Sequence, residues 1–348
     1  VLILNLDTFA AKNVSQIRLM EAEDYAFTVV TNDSRSTSRE IFEAQSFRCS
    51  RLVVLDGLWD KIATALKMLV RRRFHHVELY PAGRMALLYL VLLKALRHKI
   101  VVVERGDIDS LGYYDLPTRL SLKLAYKLAD LIVYKEVYMQ DLLTSFTKAP
   151  LAFIPNCVAE RPVGPAGSRK LDFLWANRAV PQRRAEWVAN AMRDARLSDR
   201  SLAMLGLEPG WTPEPRARPP QLSELGGPNT QIKGFVDPEP YYRSARFFCL
   251  PATIVFGNNA LLEAMASGVV PVVTASPGIE LLVKHGLNGI VSAFDEQAYR
   301  DAMIRAARLP EEEWQAMSCR AVETVRENYS TEAWQRKMAT VYAQLHAA

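Results

Sequence analysis

The chain has 348 residues, 49% of them apolar and 23% charged, with a formal net charge of +5. That length suffices for two domains with separate cores, and that balance describes a globular protein rather than a disordered one. The four cysteines, Cys49, Cys157, Cys249 and Cys319, lie far apart with no C-x-x-C pair, which argues against structural zinc and fits a reducing cytoplasm.

Short β-rich runs alternate with helical patterns along the whole chain, as expected of α/β architecture with parallel sheets. In the first half, strands are expected at 1–6, 26–31, 51–55, 76–80, 100–104, 131–134 and 151–154. Helices fit between them at 15–23, 60–72, 83–96 and 117–127. No stretch reaches the length of a membrane span, since the best apolar run, Met85 to Leu93, ends at Lys94. No signal peptide is visible, and the chain opens on Val1 rather than Met. Between Lys61 and Lys127, 13 Lys/Arg stand against 5 Asp/Glu. Lys61, Lys67 and Arg71-Arg72-Arg73 bracket an apolar helical pattern, and Arg119, Lys123 and Lys127 repeat it. Such a helix either rests on anionic lipid or presents a solvated face. Nucleic acid is not expected, because the basic residues lack interleaved aromatics and any binding motif.

Residues 159–170 carry two prolines and two glycines with little apolar content, and read as a linker. The alternation then restarts, with strands at 171–176, 202–206, 231–235, 247–250 and 269–273 and a helix at 184–194. Residues 209–228, rich in Pro, Gly and Arg, read as an exposed loop. The tail is helical at 296–307, 311–328 and 331–346, with Ser330 as the N-cap of the last helix. Phe256-Gly257-Asn258-Asn259 is a small-residue turn opening an apolar helix that carries one acid, Glu263, and stops at Ser267-Gly268. Free amides at a helix start favour an anion, and a carboxylate one turn inside suits sugar or ribose hydroxyls. The stretch fits a nucleotide-sugar pocket; it also fits a buried αβ unit whose turn residues only make the turn.

Several ordered segments resemble one family. Ala129 to Val133 followed by Ile154-Pro155-Asn156-Cys157-Val158 is similar to its "ADxVIxVS … IPNGV" stretch. Asn177 to Arg183 is similar to "GRLVPEKG", and Lys233 to Val236 with Ser244 to Pro251 is similar to "GFV … AADVFVLPS". Pro277 to Leu282 and Gly286 to Gly289 complete the pattern. The chain resembles the family 4 glycosyltransferases, which have the GT-B fold: α/β, two Rossmann-like domains facing across a cleft. The resemblance spans nearly the whole chain and is stronger in the second half. It implies an N-terminal acceptor-side domain at 1–158, a linker at 159–170 and a C-terminal nucleotide-sugar domain at 171–328. A helix at 329–348 would pack back on the first domain.

By the same resemblance, Arg178 and Arg183, with Arg184 adjacent, grip the donor diphosphate, and Glu263 binds the ribose. Gly257, Asn258, Asn259, Ala260 and Leu261 form the phosphate and sugar turn, and Phe235 and Val236 lie beside the base. The family's acid eight positions before the glutamate is replaced by apolar Val255, or by Ile254 if one Asn is an insertion. The glycine-rich loop after the first strand is replaced by residues 7–13, which offer Lys12 and Asn13 on the acceptor side. The family's His-Gly becomes Arg105-Gly106, and Lys135-Glu136 stands where Ser-Glu is common. Arg105, a catalytic candidate, and the acceptor-side candidates Asp107, Lys135 and Glu136 are expected as a polar cluster at the strand ends facing the cleft, to replace the missing acid, to orient the acceptor or only to pair with one another. Asp107-Ile108-Asp109 is a D-x-D pattern read as coincidence, so no metal and no cofactor is expected beyond a UDP- or GDP-linked donor substrate.

The function implied is transfer of a hexose or deoxyhexose to an acceptor hydroxyl with retention. The acceptor expected is a lipid-linked glycan of bacterial surface polysaccharide, met in the cytoplasm at the inner face of the plasma membrane. Two alternatives stand beside it: a catalytically weak nucleotide-sugar-binding or scaffold protein, and a nucleotide-sugar 2-epimerase, which would need histidine near the sugar.

Overall fold

A strand that is apolar at every position needs a sheet covered on both faces, and Ile100–Val103 (IVVV) is such a strand, buried throughout. The computed structural model describes residues 1–6, 11–31, 40, 42–44, 46–54, 59, 62–63, 66–67, 70, 74–83, 85–108, 111–164, 167, 169–207, 225 and 227–347. It builds two parallel sheets, one in each of two units: Val1–Pro155 with Trp334–Ala348, and Asn156–Ala333.

In the first unit the strands are β1 (Leu2–Leu6), β2 (Thr28–Thr31), β3 (Arg51–Val54), β4 (Val77–Leu79), β5 (Ile100–Val103), β6 (Leu131–Tyr134) and β7 (Leu151–Phe153). Their order in the sheet is β3-β2-β1-β4-β5-β6-β7, with parallel pairing throughout. Parallel neighbours need long crossovers, and helices α1 (Ala11–Glu21), α2 (Met85–Ala95), α3 (Leu116–Leu128) and α4 (Met139–Phe146) lie on these. One side of the sheet (Leu2, Leu4, Leu79, Val102 and Ile132) packs with Tyr89, Leu93, Leu122 and Tyr126. Asp115 starts α3 by accepting from the Thr118 amide at 3.1 Å, with Pro117 just inside.

The C-terminal helix, Thr331–Ala347, contributes Trp334, Met338 and Tyr342 to this unit. With Ile3, Ile17, Met20 and Phe27 they line a cavity of about 40 Å³, the scale of a few waters. Glu78 is buried there, accepts a hydrogen bond from the Tyr342 hydroxyl, and is held above the usual carboxylate range by burial. His76 Nδ1 sits 2.9 Å from His346 Nε2, and Lys99 Nζ donates to the Leu345 carbonyl at 2.7 Å. Burial, then the neighbouring positive charges, push the His76 imidazole down to about 2, so it is neutral.

The second unit has β8 (Leu171–Ala176), β9 (Leu202–Leu205), β10 (Thr230–Lys233), β11 (Ala245–Leu250), β12 (Val270–Thr274) and β13 (Ile290–Ser292). They run in parallel in the order β10-β9-β8-β11-β12-β13. Five helices accompany them: α5 (Ala185–Ala191), α6 (Glu239–Ser244), α7 (Asn259–Ala266), α8 (Glu296–Ala307) and α9 (Glu311–Asn328). The core joins Trp175, Met204, Phe247, Cys249 and Val272 to Tyr299, Met303 and Trp314. The order β9-β8-β11 makes a switch point beside β8, where ligands of such sheets bind at the carboxyl ends.

The structure refines several expectations. Helix α1 begins at Ala11 rather than 15, and α4 and β13 had no counterpart in the sequence reading. Ser330 does cap the last helix, its Oγ accepting from the Ala333 amide at 3.1 Å. The basic helix expected at 60–72 is described only in part; Lys61 and Arg71 to Arg73 lie outside the described residues, as do residues 7–10 and most of 209–228. Among the described residues no helix is long and apolar enough to cross a membrane.

The stretch read as a linker is pinned at its end. Arg169, 8% exposed, donates through Nη1 to the carbonyls of Tyr242 (3.2 Å) and Ala245 (2.5 Å) and through Nη2 to that of Ser267 (2.6 Å). Its guanidinium lies 5.4 Å from the Trp314 ring. It thus satisfies carbonyls at the ends of both α6 and α7. Gly268, at φ +77°, ends α7 beside it, where a Cβ would come within 2.9 Å of Arg169 Nη2 and of Ser318 Oγ. Arg169→Met should strand three buried acceptors and lower unfolding stability by about 3 kcal/mol or more, read as the midpoint shift in urea.

Candidate functional site

Helix α7 starts where it does because Asn258 caps it. In extended conformation (φ −69°, ψ 117°), Asn258 accepts the Leu261 amide on Oδ1 at 2.9 Å and the Leu262 amide on its carbonyl at 3.1 Å. Its Nδ2 donates to Asn177 Oδ1 at 2.9 Å, tying the helix mouth to the residue that follows β8. Gly257 makes the turn before it at φ +74°, and its carbonyl accepts from Asn156 Nδ2 at 2.7 Å. Among the described residues the amides of Asn259 and Ala260 have no acceptor, as first-turn amides of a helix have none within it.

These two residues border a cleft of about 320 Å³, in the size range of small-molecule sites. Ala176, Asn177 and Arg178 continue its wall from the end of β8, and Leu205 and Gly206 from the end of β9. Phe235, Val236 and Pro238 follow β10, and Tyr242 and Glu263 close the far side. Gly206 is needed there. Its φ is +77°, and a Cβ would stand 2.5 Å from the Asn177 carbonyl oxygen. Arg178 is exposed, and the Phe235 ring, 62% exposed, offers an uncovered face at the cleft.

Among the described residues Glu263 is the one carboxylate lining this cleft, its side chain 26% exposed. Arg161 Nη2 lies 3.3 Å from its Oε1, and the buried Tyr242 hydroxyl donates to its Oε2 at 3.2 Å. Burial raises its pKa above the ordinary value, opposed by the Arg161 charge and the Tyr242 hydrogen bond and reinforced by Glu239 and Asp237. A cation, two open amides, an exposed ring and a carboxylate therefore share one concavity. That set is able to take phosphate oxygens, a planar base and a pair of hydroxyls.

Not every residue expected at the site is placed there. Arg183 Nη1 donates to the Ile254 carbonyl at 3.0 Å and is not part of the cleft wall. Arg184, in the left-handed region (φ 42°), lays its guanidinium 5.7 Å from the Trp187 ring and 5.8 Å from the Phe294 ring, away from the wall. Leu261 is fully buried, with its amide used by the cap, because its place on α7 faces the core. Asn258 shapes the site through its cap, and Gly257 through its turn, rather than as wall. Val255 is buried, so a carboxylate at that position would be desolvated; Ile254 is 37% exposed. Asn177, Gly206, Tyr242 and Arg161 were missed as site residues. Asn177 could have been found as the neighbour of Arg178 in the same motif, whereas Arg161 fell in a stretch read as a linker.

In the first unit, Glu104 is buried beneath the 105–108 turn, accepting from the Gly106 amide at 2.6 Å, the Ile108 amide at 3.2 Å and the Tyr126 hydroxyl. Above it the Arg105 guanidinium lies 5.5 Å from the Tyr80 ring, and Asp107 accepts from the Tyr114 hydroxyl at 2.8 Å. Lys135 lines the cavity that holds Glu78, and Glu136 is half-buried beside it in sequence. The four residues expected as one cluster are thus engaged by different neighbours. Lys12 and Asn13 fall in the first turn of α1, not in a loop, and Asp109 lies outside the described residues.

Residues 170–308 match the family described as Glycosyl transferases group 1, so the match covers the second unit's sheet and most of its helices. No curated protein sequence matches the chain. Solved structures of similar fold include Anabaena Alr3699/HepE in complex with UDP-glucose, at 14% identity and TM-score 0.73, covering 99% of each chain. Sucrose-phosphate synthase from Thermosynechococcus elongatus is 16% identical with TM-score 0.70, covering 99% of this chain and 98% of its own. A glycosyltransferase from Rickettsia africae is 11% identical with TM-score 0.70, covering 99% and 97%. The fold is therefore that of the GT-B glycosyltransferases, with two parallel-sheet α/β units. Asn258→Ala should remove the α7 cap and cost about 1–2 kcal/mol, while Asn258→Asp should keep most of it, both read from denaturant midpoints.

Proposed function

We propose that the chain is a glycosyltransferase that moves a sugar from a nucleoside-diphosphate donor to an acceptor hydroxyl. The observation that carries this is the meeting, in one cleft, of Arg178 and the open amides of Asn259 and Ala260 with Glu263 and the exposed Phe235 ring. The base would lie on Phe235 and Val236, the ribose diol would donate to Glu263, and the diphosphate would reach the α7 amides. Transfer expels a nucleoside diphosphate, so negative charge grows on the leaving group. A guanidinium and a helix N-terminus already aimed there stabilise that charge without reorganising. No metal or cofactor is then required. The match of residues 170–308 to a glycosyltransferase family supports the reading, as does a neighbour of the same fold seen with UDP-glucose.

Retention fits this site. The acceptor oxygen approaches on the leaving-group side and a diphosphate oxygen takes its proton, so no side-chain base is needed. Apolar residues at 254 and 255 favour a less polar sugar face, as in a deoxyhexose. The acceptor we propose is a lipid-linked glycan of bacterial surface polysaccharide synthesis, met at the cytoplasmic face of an anionic membrane. Helix α3 supports that contact: Leu116, Leu120 and Leu124 are exposed at helical spacing, with exposed Arg119, Lys123 and Lys127 among them and no acid in the helix. A second reading, a nucleotide-sugar-binding protein without turnover, is favoured only by the loss of the acid at Val255.

The chain should release nucleoside diphosphate slowly from its donor even without acceptor; donor binding with no release would favour the second reading. Arg178→Ala and Glu263→Ala should each weaken UDP or GDP binding about tenfold or more with the melting temperature unchanged, measured by calorimetric titration. Sedimentation with vesicles containing phosphatidylserine should pull the protein down at low salt. Leu120→Asp or Lys123→Glu should release it, and a wild-type protein left in the supernatant would remove the membrane contact.

A further inference from the structure

Arg161 stands three residues after Val158, where the segment beginning at Ile154 closes, and its side chain is three-quarters buried in the second unit. One guanidinium nitrogen pairs with Glu239, another lies 3.3 Å from Glu263 Oε1, and the group sits 5.6 Å from the Tyr242 ring. Tyr242 in turn donates to Glu263 Oε2 at 3.2 Å. Each oxygen of the Glu263 carboxylate is thus held by one partner from behind, which leaves one acceptor direction on each for a ligand. The charges that face Glu263 are the Arg161 cation and the Asp237 and Glu239 carboxylates, with the Tyr242 hydroxyl neutral. Three carboxylates therefore gather about the Arg161 cation, in a place where the donor would add a diphosphate.

We infer that Arg161 is a positioning residue for the nucleotide: it turns the Glu263 carboxylate toward the cleft and keeps it ionised, so that both oxygens accept from the two ribose hydroxyls. The inference rests on the nucleotide reading of the cleft. Without the guanidinium, Glu263 loses the charge that most lowers its pKa while Glu239 and Asp237 still raise it, and burial already favours the protonated carboxyl. A protonated or rotated Glu263 accepts at one oxygen only. The first property lost is then discrimination for the 2′-hydroxyl, and the loss grows as pH falls, because Glu263 takes up its proton at a higher pH than in the wild type.

The test is titration calorimetry with UDP and with 2′-deoxy-UDP, using GDP and 2′-deoxy-GDP if the uridine pair does not bind, from about pH 8.5 down to about pH 5.5. The nucleotide's own titration is common to all variants and cancels in the comparison. Wild type should prefer the ribonucleotide about tenfold at neutral pH. Arg161→Met should lose most of that preference and lose the rest at higher pH than wild type does. Arg161→Lys keeps a charge but cannot bond both carboxylates at once, so its preference should fall partway, and it decides the matter should the Met variant not fold. A wild-type preference with an unshifted pH profile in every folded variant would leave Arg161 a packing residue and overturn the inference. Glu263→Ala separates the two readings: if it too leaves nucleotide affinity untouched, the cleft is not the nucleotide site.

Discussion

Two asparagine side chains hold the candidate site in shape. Asn258 uses its oxygen to begin helix α7 and its nitrogen to reach Asn177, so the helix mouth and the end of β8 are fixed by one residue. The pairing of β8 with β11 brings the two elements near each other, and that bridge sets the open amides of Asn259 and Ala260 against the chain end that carries Arg178. The positive end of a helix is useful to an anion only within its first turn, so a small shift of the mouth would cost the site its main electrostatic asset. Arg169 secures the other end of the same helix, accepting no ligand but satisfying the carbonyls where α6 and α7 finish.

The second unit was legible because its signals are local. A turn of small residues, an apolar helix with one acid, and a buried strand follow one another within 256–273, and each obeys the periodicity of its own element. What the sequence hid were the partners that sit far away along the chain. Arg161 is about a hundred residues from Glu263 and lies in a stretch whose composition reads as a connector. Tyr242 belongs to a helix of six residues, too short for a periodic signal. Arg183 and Arg184 were singled out by motif position, and the structure gives them other neighbours. The Ile254 carbonyl accepts from Arg183, and the Arg184 guanidinium lies by the Trp187 and Phe294 rings.

The first unit was legible as a sheet and much less so as a site. Fully apolar strands announce themselves, and the β1 to β7 runs stand within a few residues of where alternation places them. The polar residues at their ends were grouped by sequence position alone. Burial and hydrogen bonding divide them: Glu104 braces a turn, Arg105 rests on Tyr80, and Lys135 turns toward the chamber of Glu78. Side-chain direction at a strand end depends on which face the register presents, and the register is set by neighbouring strands tens of positions away, as Leu2 pairs with Thr28 on one side and Val77 on the other.

One face of that first sheet is roofed by residues from Trp334–Ala348, although the rest of the unit ends at Pro155. During synthesis the sheet must therefore wait for the whole intervening unit to leave the ribosome, roughly ten to thirty-five seconds at ordinary elongation rates. Through that interval Ile17, Met20 and Phe27 lack Trp334, Met338 and Tyr342, and Glu78 lacks the hydroxyl that donates to it. The nascent chain thus carries a half-covered apolar surface until the helix Thr331–Ala347 has emerged, and that surface is what a holding chaperone would cover.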